Sequence, residues 1–314
     1  MLDSFIFSLN AALPVFLIIV IGMLLRKIGL VSESYASATD KFVFKAAIPV
    51  LMFRDIAQMD FRQDFDLKFV LFCAVATVVM FLGTWLFSAL LIKDKSIVGS
   101  FVQGSARGSA AVLGIALATN IYGSSGLTPL MILSAVPLFN VLSVTILAFN
   151  SNEEKKNAGI SSVLKSIITN PIILGILCGI PFSVLGIKLP AAISSTVSSL
   201  ASVATPMALI AIGASFSFKS AKEKTAPAVW ATVIKLVVLP AVFLTSAVLL
   251  GFRGSALVAV FVMTGSPSTV ACYIMAKNMG NDHVLSSNII MLSTLFSAVT
   301  VTLWVFVMKY FALI

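Results

Sequence analysis

Apolar residues fall along this chain in long unbroken runs, separated by short polar joints that carry most of the charge. Runs such as Val229 to Leu250 show no alternation of apolar and polar positions. They do not fit the strands of a membrane β-barrel, which leaves α-helices as the way to satisfy every backbone polar group within a bilayer. At roughly 20 residues per crossing, the pattern predicts ten spans, over residues 5–26, 39–56, 69–92, 97–121, 127–149, 164–187, 191–218, 226–250, 254–278 and 284–309. Span 2 is the least regular. Its clean apolar core reaches only from Ala46 to Phe53, between Lys45 and Arg54, and by itself would suit a short or interfacial segment.

An internal repeat settles span 2. Sliding the chain on itself by 157 residues, half its length of 314, superposes Pro14 on Pro171, Gly22 on Gly179, Gly29 on Gly186, Pro49 on Pro206, Gly108 on Gly265 and Gly123 on Gly280 without a gap. About 0.7 such coincidences are expected by chance from the glycine and proline content of the halves; six are found. Span 2 thereby aligns with span 7, whose run from Leu200 to Phe218 is plainly apolar. Residues 1–157 form a first repeat with spans 1–5, and residues 158–314 a second with spans 6–10. The stretch Asn150 to Ser162, with Glu153, Glu154, Lys155 and Lys156, is the joint. Five is an odd number of crossings, so the second copy enters the membrane upside down, which is the inverted-repeat plan of secondary transporters. The fold class expected is an all-α membrane protein of ten transmembrane helices in two inverted five-helix repeats.

Composition agrees, with 59% hydrophobic and 11% charged residues against roughly 25% charged in soluble chains. The net charge of +9 would suggest a nucleic-acid partner in a soluble protein, but 19 of the 21 Lys and Arg lie in the joints or at span ends and read as topology signals. With the amino terminus on side A, thirteen of them fall on side B and six on side A. Side B is then cytoplasmic and both termini are extracytoplasmic. Residues 1–25 contain no basic n-region and no clear cleavage site, so span 1 is expected to be retained. Cys73, Cys178 and Cys272 lie in apolar runs with no CxxC spacing, and the chain has a single His. Neither disulfides, a metal site nor a cofactor is indicated.

Spans 4 and 9 occupy matching places in the two repeats, and both are interrupted. Span 4 reads Gly104-Ser105-Ala106-Arg107-Gly108-Ser109-Ala110; span 9 reads Met263-Thr264-Gly265-Ser266-Pro267-Ser268-Thr269. Glycine, proline and clustered hydroxyls can unwind a helix that lines a cavity. The half-helix that follows a break presents free N–H groups and a partial positive charge suited to an anion. Close helix packing through small residues is the alternative use of such a stretch. Only two charged residues sit deep in predicted spans, Arg107 in span 4 and Lys235 in span 8, while all 12 acids lie in joints or near span ends. A cation at membrane depth is normally paired or faces an aqueous cavity. The missing counter-charge is then the cargo, which makes the expected substrate anionic. For Lys235, snorkelling or pairing with backbone carbonyls stays open beside that reading.

The same distribution leaves no membrane-embedded carboxylate for proton coupling. His283 falls at the edge of span 10 and reads as a joint histidine. Sodium held by unwound carbonyls and hydroxyls remains compatible, so the coupling ion, proton or sodium, stays open. Asn120, Asn140, Thr205 and Asn288 are the other polar residues within spans, available to substrate or to neighbouring helices.

These residues resemble a known family. Gln103-Gly-Ser-Ala-Arg107-Gly, Leu113-Gly-Ile-Ala-Leu and Asn120-Ile-Tyr-Gly123 are similar to the fourth helix of bacterial auxin efflux carrier family transporters. Ser266-Pro-Ser-Thr269 with Met275-Ala-Lys-Asn-Met-Gly280 resembles their ninth, Thr205-Pro206 through Gly213 their seventh, and Ala47-Ile-Pro49 their second. The resemblance implies a fold shared with the plant PIN carriers and related to the bile acid sodium symporters. It further implies a scaffold of helices 1, 2, 6 and 7 able to form a homodimer, and a transport domain of helices 3–5 and 8–10. Helices 4 and 9 would cross at the substrate site and move as an elevator. Carried onto this chain, the substrate-binding residues expected are Arg107, Gly108, Ser109, Ala110, Gly265, Ser266, Pro267, Ser268, Thr269 and Lys235, with Pro49, Pro206 and Gly104 at helix breaks or hinges. Three features depart from relatives. Ser109 stands where many have Asn, only span 9 carries a proline at its break, and the large central loop of the plant carriers is absent. Bacterial relatives are associated with small dicarboxylates such as malate or malonate.

A secondary transporter of a small organic anion in the plasma membrane is therefore the expected function, with an anion channel or membrane sensor on the same fold as the alternative. An enzyme is disfavoured: Gly213-Ala-Ser215 superficially resembles a serine-protease centre, but the single His lies at a membrane edge and no HExxH or aspartate pair is present.

Overall fold

The computed structural model describes residues 2–58, 66–110, 117–118, 121–122, 126–151, 165, 167–216 and 222–314. Asn120, Gly123, most of Leu113-Gly-Ile-Ala-Leu and the charged joint residues Glu153 to Lys156 lie outside the described residues. What is described is all-helical, with no strand and one isolated bridge pair. In chain order the helices are α1 (Leu2–Lys27), α2 (Glu33–Phe42), α3 (Ile48–Ala57), α4 (Leu67–Leu91), α5 (Val98–Ala106), α6 (Thr128–Phe149), α7 (Pro171–Leu185), α8 (Ala191–Ser202), α9 (Ala204–Ser215), α10 (Thr225–Val233), α11 (Leu239–Leu249), α12 (Ser255–Gly265), α13 (Ala271–Asn278) and α14 (His283–Tyr310). A π-helical turn, Val43–Ala47, joins α2 to α3, and another, Ile234–Val238, joins α10 to α11. Five helices among the described residues are long and apolar enough to cross a membrane: Leu67–Leu91, Thr128–Phe149, Ala191–Ser215, Thr225–Leu249 and His283–Tyr310. The chain is thus a multi-pass membrane protein.

Helix ends follow local chemistry. Asp66, Asp94 and Asp282 cap helical segments, accepting from the N–H groups of Phe69, Ser96 and Leu285. Their negative charge also suits the positive helix start. Each π turn ends two residues before a proline, Pro49 or Pro240. A proline inside a helix lacks its N–H and its ring crowds the carbonyl four residues back, and the widened turn absorbs both faults.

Span 2 is longer than its apolar core suggested. Ser32 caps α2 through the Tyr35 N–H, and residues 33–57 run on as one helix through the π turn. Residues 33–38 fall outside the expected span, yet they are helical, and Ala36, Thr39 and Asp40 are buried. That corrects the expectation that every acid lies near a span end or in a joint: Asp40 is 2% exposed, two turns inside a helix. Span 6 is shorter than expected, because Asn170 caps it and Pro171 occupies its first turn.

Helix limits recur along the chain. The helix over residues 33–57 and Ala191–Ser215 have equal lengths and begin 158 residues apart; so do Leu67–Leu91 and Thr225–Leu249. The packing recurs as well. Gly22 on α1 lies against Ile210 and Gly213 on α9, and Gly179 on α7 lies against Phe53 and Ile56 on α3. A Cβ at any of these glycines would strike backbone, so close approach requires glycine there. One apolar cluster gathers α4, α5, α6, α11, α12 and α14; a second gathers α1, the α2–α3 segment, α7, α9 and α13.

Candidate functional site

Both predicted breaks are present, and they meet. α5 stops at Ala106 and Arg107 turns extended, with φ −83° and ψ 119°. α12 stops at Gly265, and Ser266 is extended at φ −69° and ψ 150°, as a residue preceding proline should be. The two extended segments run antiparallel through a bridge between Gly108 and Ser268. Ser109 N–H donates to the Pro267 carbonyl at 2.8 Å. The Ser268 hydroxyl donates to the Gly104 carbonyl, and Ser268 N–H donates to Ser293 Oγ on α14 at 3.1 Å. Backbone groups freed by unwinding are thus exchanged between the two segments.

Glycine at 108 is set by that approach. A Cβ there would run into Ser266 Oγ and stand 2.8 Å from Lys235 Nζ. Lys235, fully buried in the π turn, donates to the Ala106 carbonyl at 3.1 Å and points to the Met263 carbonyl at 3.5 Å. These oxygens belong to the last turns of α5 and α12. Each helix end carries about half a negative charge, so two of them offset roughly the one charge of the ammonium. Of the alternatives left open for Lys235, pairing with carbonyls describes its position.

Arg107 is different. Its Nη2 donates to Asn140 Oδ1 on α6 at 2.7 Å, and its Nη1 lies 2.8 Å from Met275 Sδ on α13. Asn140 is held in turn by donating to the Val136 carbonyl at 2.8 Å. Both partners of the guanidinium are neutral, and among the described residues no carboxylate pairs with it. Gln103, whose Nε2 lies 3.3 Å from the same sulfur, has a buried Oε1 without a partner among the described residues, and Ser266 Oγ is in the same condition. Buried polar atoms are rarely left so. Among the described residues, the crossing therefore offers an uncompensated cation and two unsatisfied polar atoms.

Not every expected residue joins it. Arg107, Gly108, Ser109, Ser266, Pro267, Ser268, Lys235 and Gly104 come together as described. Ala110 begins the chain beyond the first break and is buried. Thr269 accepts from the Cys272 N–H in the first turn toward α13. Gly265 faces Phe261 and Pro240, which makes it a packing residue. Pro49 lies against Gly175 of α7, and Pro206 and Thr205 are exposed on α9. Asn288 is buried on α14. Met275 and Ser293 also line the crossing. Met275 lay inside a quoted motif; Ser293 has no sequence signal, being one of several serines on an apolar helix.

The chain is similar to known membrane proteins over nearly its whole length. An uncharacterized transporter of Methanothermobacter thermautotrophicus is 23% identical over 96% of this chain and 98% of its own length. The uncharacterized transporter YfdV of Escherichia coli is 24% identical, again over 96% and 98%. A protein of Rhizobium meliloti named as a candidate malonate transporter is 22% identical over 90% and 93%. These relatives are membrane transporters and not enzymes. Residues 7–305 match the family described as Membrane transport protein, and the chain belongs to that family, the auxin efflux carrier family.

Proposed function

We propose that this protein is a secondary active carrier of a small organic anion, a mono- or dicarboxylate, working by elevator-type alternating access. The observation that carries the reading is Arg107: a buried guanidinium at the meeting of two broken helices whose partners, Asn140 and Met275, are both neutral. An anionic carboxylate would complete it by charge-assisted hydrogen bonds, with Ser266 Oγ and Gln103 Oε1 beside it to take further polar contacts. The name of the Rhizobium relative makes malonate the first substrate to try.

In this reading the chain is two inverted five-helix repeats, supported by the recurring helix limits and glycine contacts. The scaffold, and the face of a homodimer, is α1, the α2–α3 segment, α7 and α8–α9; the remaining helices carry the site. The first apolar cluster lies wholly within the helices that carry the site, and the second joins the scaffold helices to α13 and to parts of α6 and α14. The excess of Lys and Arg on one side supports an orientation with both termini on the extracytoplasmic side.

Reconstituted protein should exchange labelled malonate or another small carboxylate across liposomes, with counterflow stimulation. Arg107→Ala should abolish exchange while the protein stays monodisperse. Exchange at wild-type affinity in that variant refutes the site, and flux without counterflow stimulation makes the protein a channel.

A further inference from the structure

Asp40 is a carboxylate that the anion site does not use. It is buried on α2, where α2 packs against α9 and α13. Its ion-pair partner is Lys277, near the end of α13, and Asn278 Nδ2 reaches the Asp40 carbonyl at 3.4 Å. The same Lys277 Nζ donates to Ser215 Oγ, the last residue of α9, at 3.3 Å and to Tyr273 Oη at 3.0 Å. One ammonium thus ties α13 to both α2 and α9.

Among the described residues, the surroundings of Asp40 hold few other charges. From α13 come Lys277 and Tyr273, whose ring stands edge-on at 5.8 Å from His283 at the start of α14. α9 contributes the Ser215 hydroxyl and no ionisable side chain. On its own segment Lys41 and Lys45 are exposed. The counter-charge of Asp40 therefore comes from a half-helix that, in the elevator reading, travels past the helices carrying Asp40.

We propose that Asp40 is a proton-binding site that latches α13 to α2 and α9. Ionised, it holds Lys277 and the latch is closed. If α13 moved away with Asp40 still charged, a buried anion would be stranded without a cation, which a protein interior strongly disfavours. A proton taken from water onto one carboxylate oxygen removes that charge. Lys277, whose side chain is 23% exposed, keeps its own charge and turns to water. Opening and proton uptake are then one linked event, so acid favours the open latch and neutral or alkaline conditions the closed one.

The inference rests on the elevator reading, but its test does not need a substrate. Spin labels at Ala38→Cys, an exposed position on α2, and Lys93→Cys beyond α4, in a Cys178→Ser background, report the separation of the two bodies in full-length protein. Acidification should bring up a second distance population. Asp40→Asn should show that population at every pH, and Asp40→Glu should restore the pH response. If Asp40→Asn does not fold, Asp40→Asn/Lys277→Gln removes both charges and should likewise be pH-independent. A distance unaffected by pH overturns the proposal, and so does a response that survives in Asp40→Asn or in the double variant, since another group such as His283 would then be titrating. Malonate counterflow, measured separately, distinguishes the two ideas. Exchange without any pH-dependent distance change overturns the latch alone, whereas a latch that responds in a protein showing no exchange leaves it standing and refutes the carrier.

Discussion

The ammonium of Lys235 lies 3.1 Å from the carbonyl oxygen of Ala106, in the last turn of α5 and 129 residues away along the chain. With the Met263 carbonyl at 3.5 Å, it caps the ends of both broken helices with one charge. This makes Lys235 a structural member of the crossing, and its variants should reveal that. Lys235→Met leaves two buried carbonyls short of a donor, a loss of about 1–3 kcal/mol each. A lowered thermal midpoint is expected, with equal losses of affinity for mono- and dianions. Lys235→Arg should also be damaging, because the ammonium already stands where a Cβ at Gly108 would reach. Retained stability in Lys235→Met would mean that the carbonyls find other donors.

Gly108→Ala tests the approach directly. Its methyl would strike Ser266 Oγ and Lys235 Nζ, an overpacking cost of about 1–3 kcal/mol. Ser266→Ala removes one obstacle, so the double variant should recover part of the loss, a non-additivity expected of side chains in contact. Strict additivity of the two midpoint shifts would place the side chains apart.

Asn140→Asp would give Arg107 an internal counter-ion, which it lacks among the described residues. The pair should hold the guanidinium in place while cancelling the charge offered to an anion, so affinity for a carboxylate substrate should fall at least about tenfold, or 1.4 kcal/mol. Asn140→Leu should instead lower stability by leaving a guanidinium donor unmet. Calorimetric titration of both variants checks the contrast, and undiminished affinity in Asn140→Asp would remove Arg107 from the binding site.

Much of this was legible from residue order. Apolar runs are governed by local transfer into a bilayer, so most spans lie within a few residues of the described helices, the starts of spans 2 and 6 excepted, and the breaks at Arg107 and Ser266 follow from glycine, proline and hydroxyl content. Asp40 was not legible. The start of α2 carries no Leu, Ile, Val or Met to mark an apolar face, and its packing against α9 and α13 is what buries one side. The role of Lys235 was equally hidden, because its partners are backbone carbonyls, which every sequence has, brought near by the fold.

Outside the membrane spans, Lys224 bridges Asp94 at 3.5 Å and Asp282 at 3.2 Å. The Ser96 hydroxyl and then Lys224 hold the Asp94 carboxyl below its ordinary value of 3.8. A depressed folded pKa stabilises above the unfolded value and is lost as pH falls through the folded one, so this contribution disappears below about pH 4. For Lys224, burial opposes the charge, but hydrogen bonding to Asp282 and the two carboxylates outweigh it and raise the pKa above 10.5. That contribution is complete below the unfolded value and vanishes as pH climbs through the folded one. Asp94 is half exposed, so both effects are small. Asp94→Asn should flatten the acid limb of thermal midpoint against pH; an unchanged limb would show that the contact carries no stability.

If the chain is two inverted repeats, as proposed, their packing is unequal. α1 packs along α14, whereas α7 and α6, which occupy the corresponding places in the other repeat, touch only slightly. Inverted repeats give such asymmetry a meaning, because each copy can adopt the arrangement of the other and the exchange turns the site from one side of the membrane to the opposite one. The second state should therefore have α7 packed along α6 and α1 withdrawn from α14. Spin-label pairs at Leu17→Cys with Leu295→Cys, and at Val141→Cys with Leu174→Cys, report the two contacts on exposed positions. During exchange, both pairs should show two populations, and conditions that lengthen the first distance should shorten the second. If the first distance lengthens while the second stays fixed, the mobile body rotates about one edge instead of exchanging repeat conformations. A single unchanging distance in both pairs, in protein that still exchanges substrate, would eliminate rigid-body movement and with it the elevator.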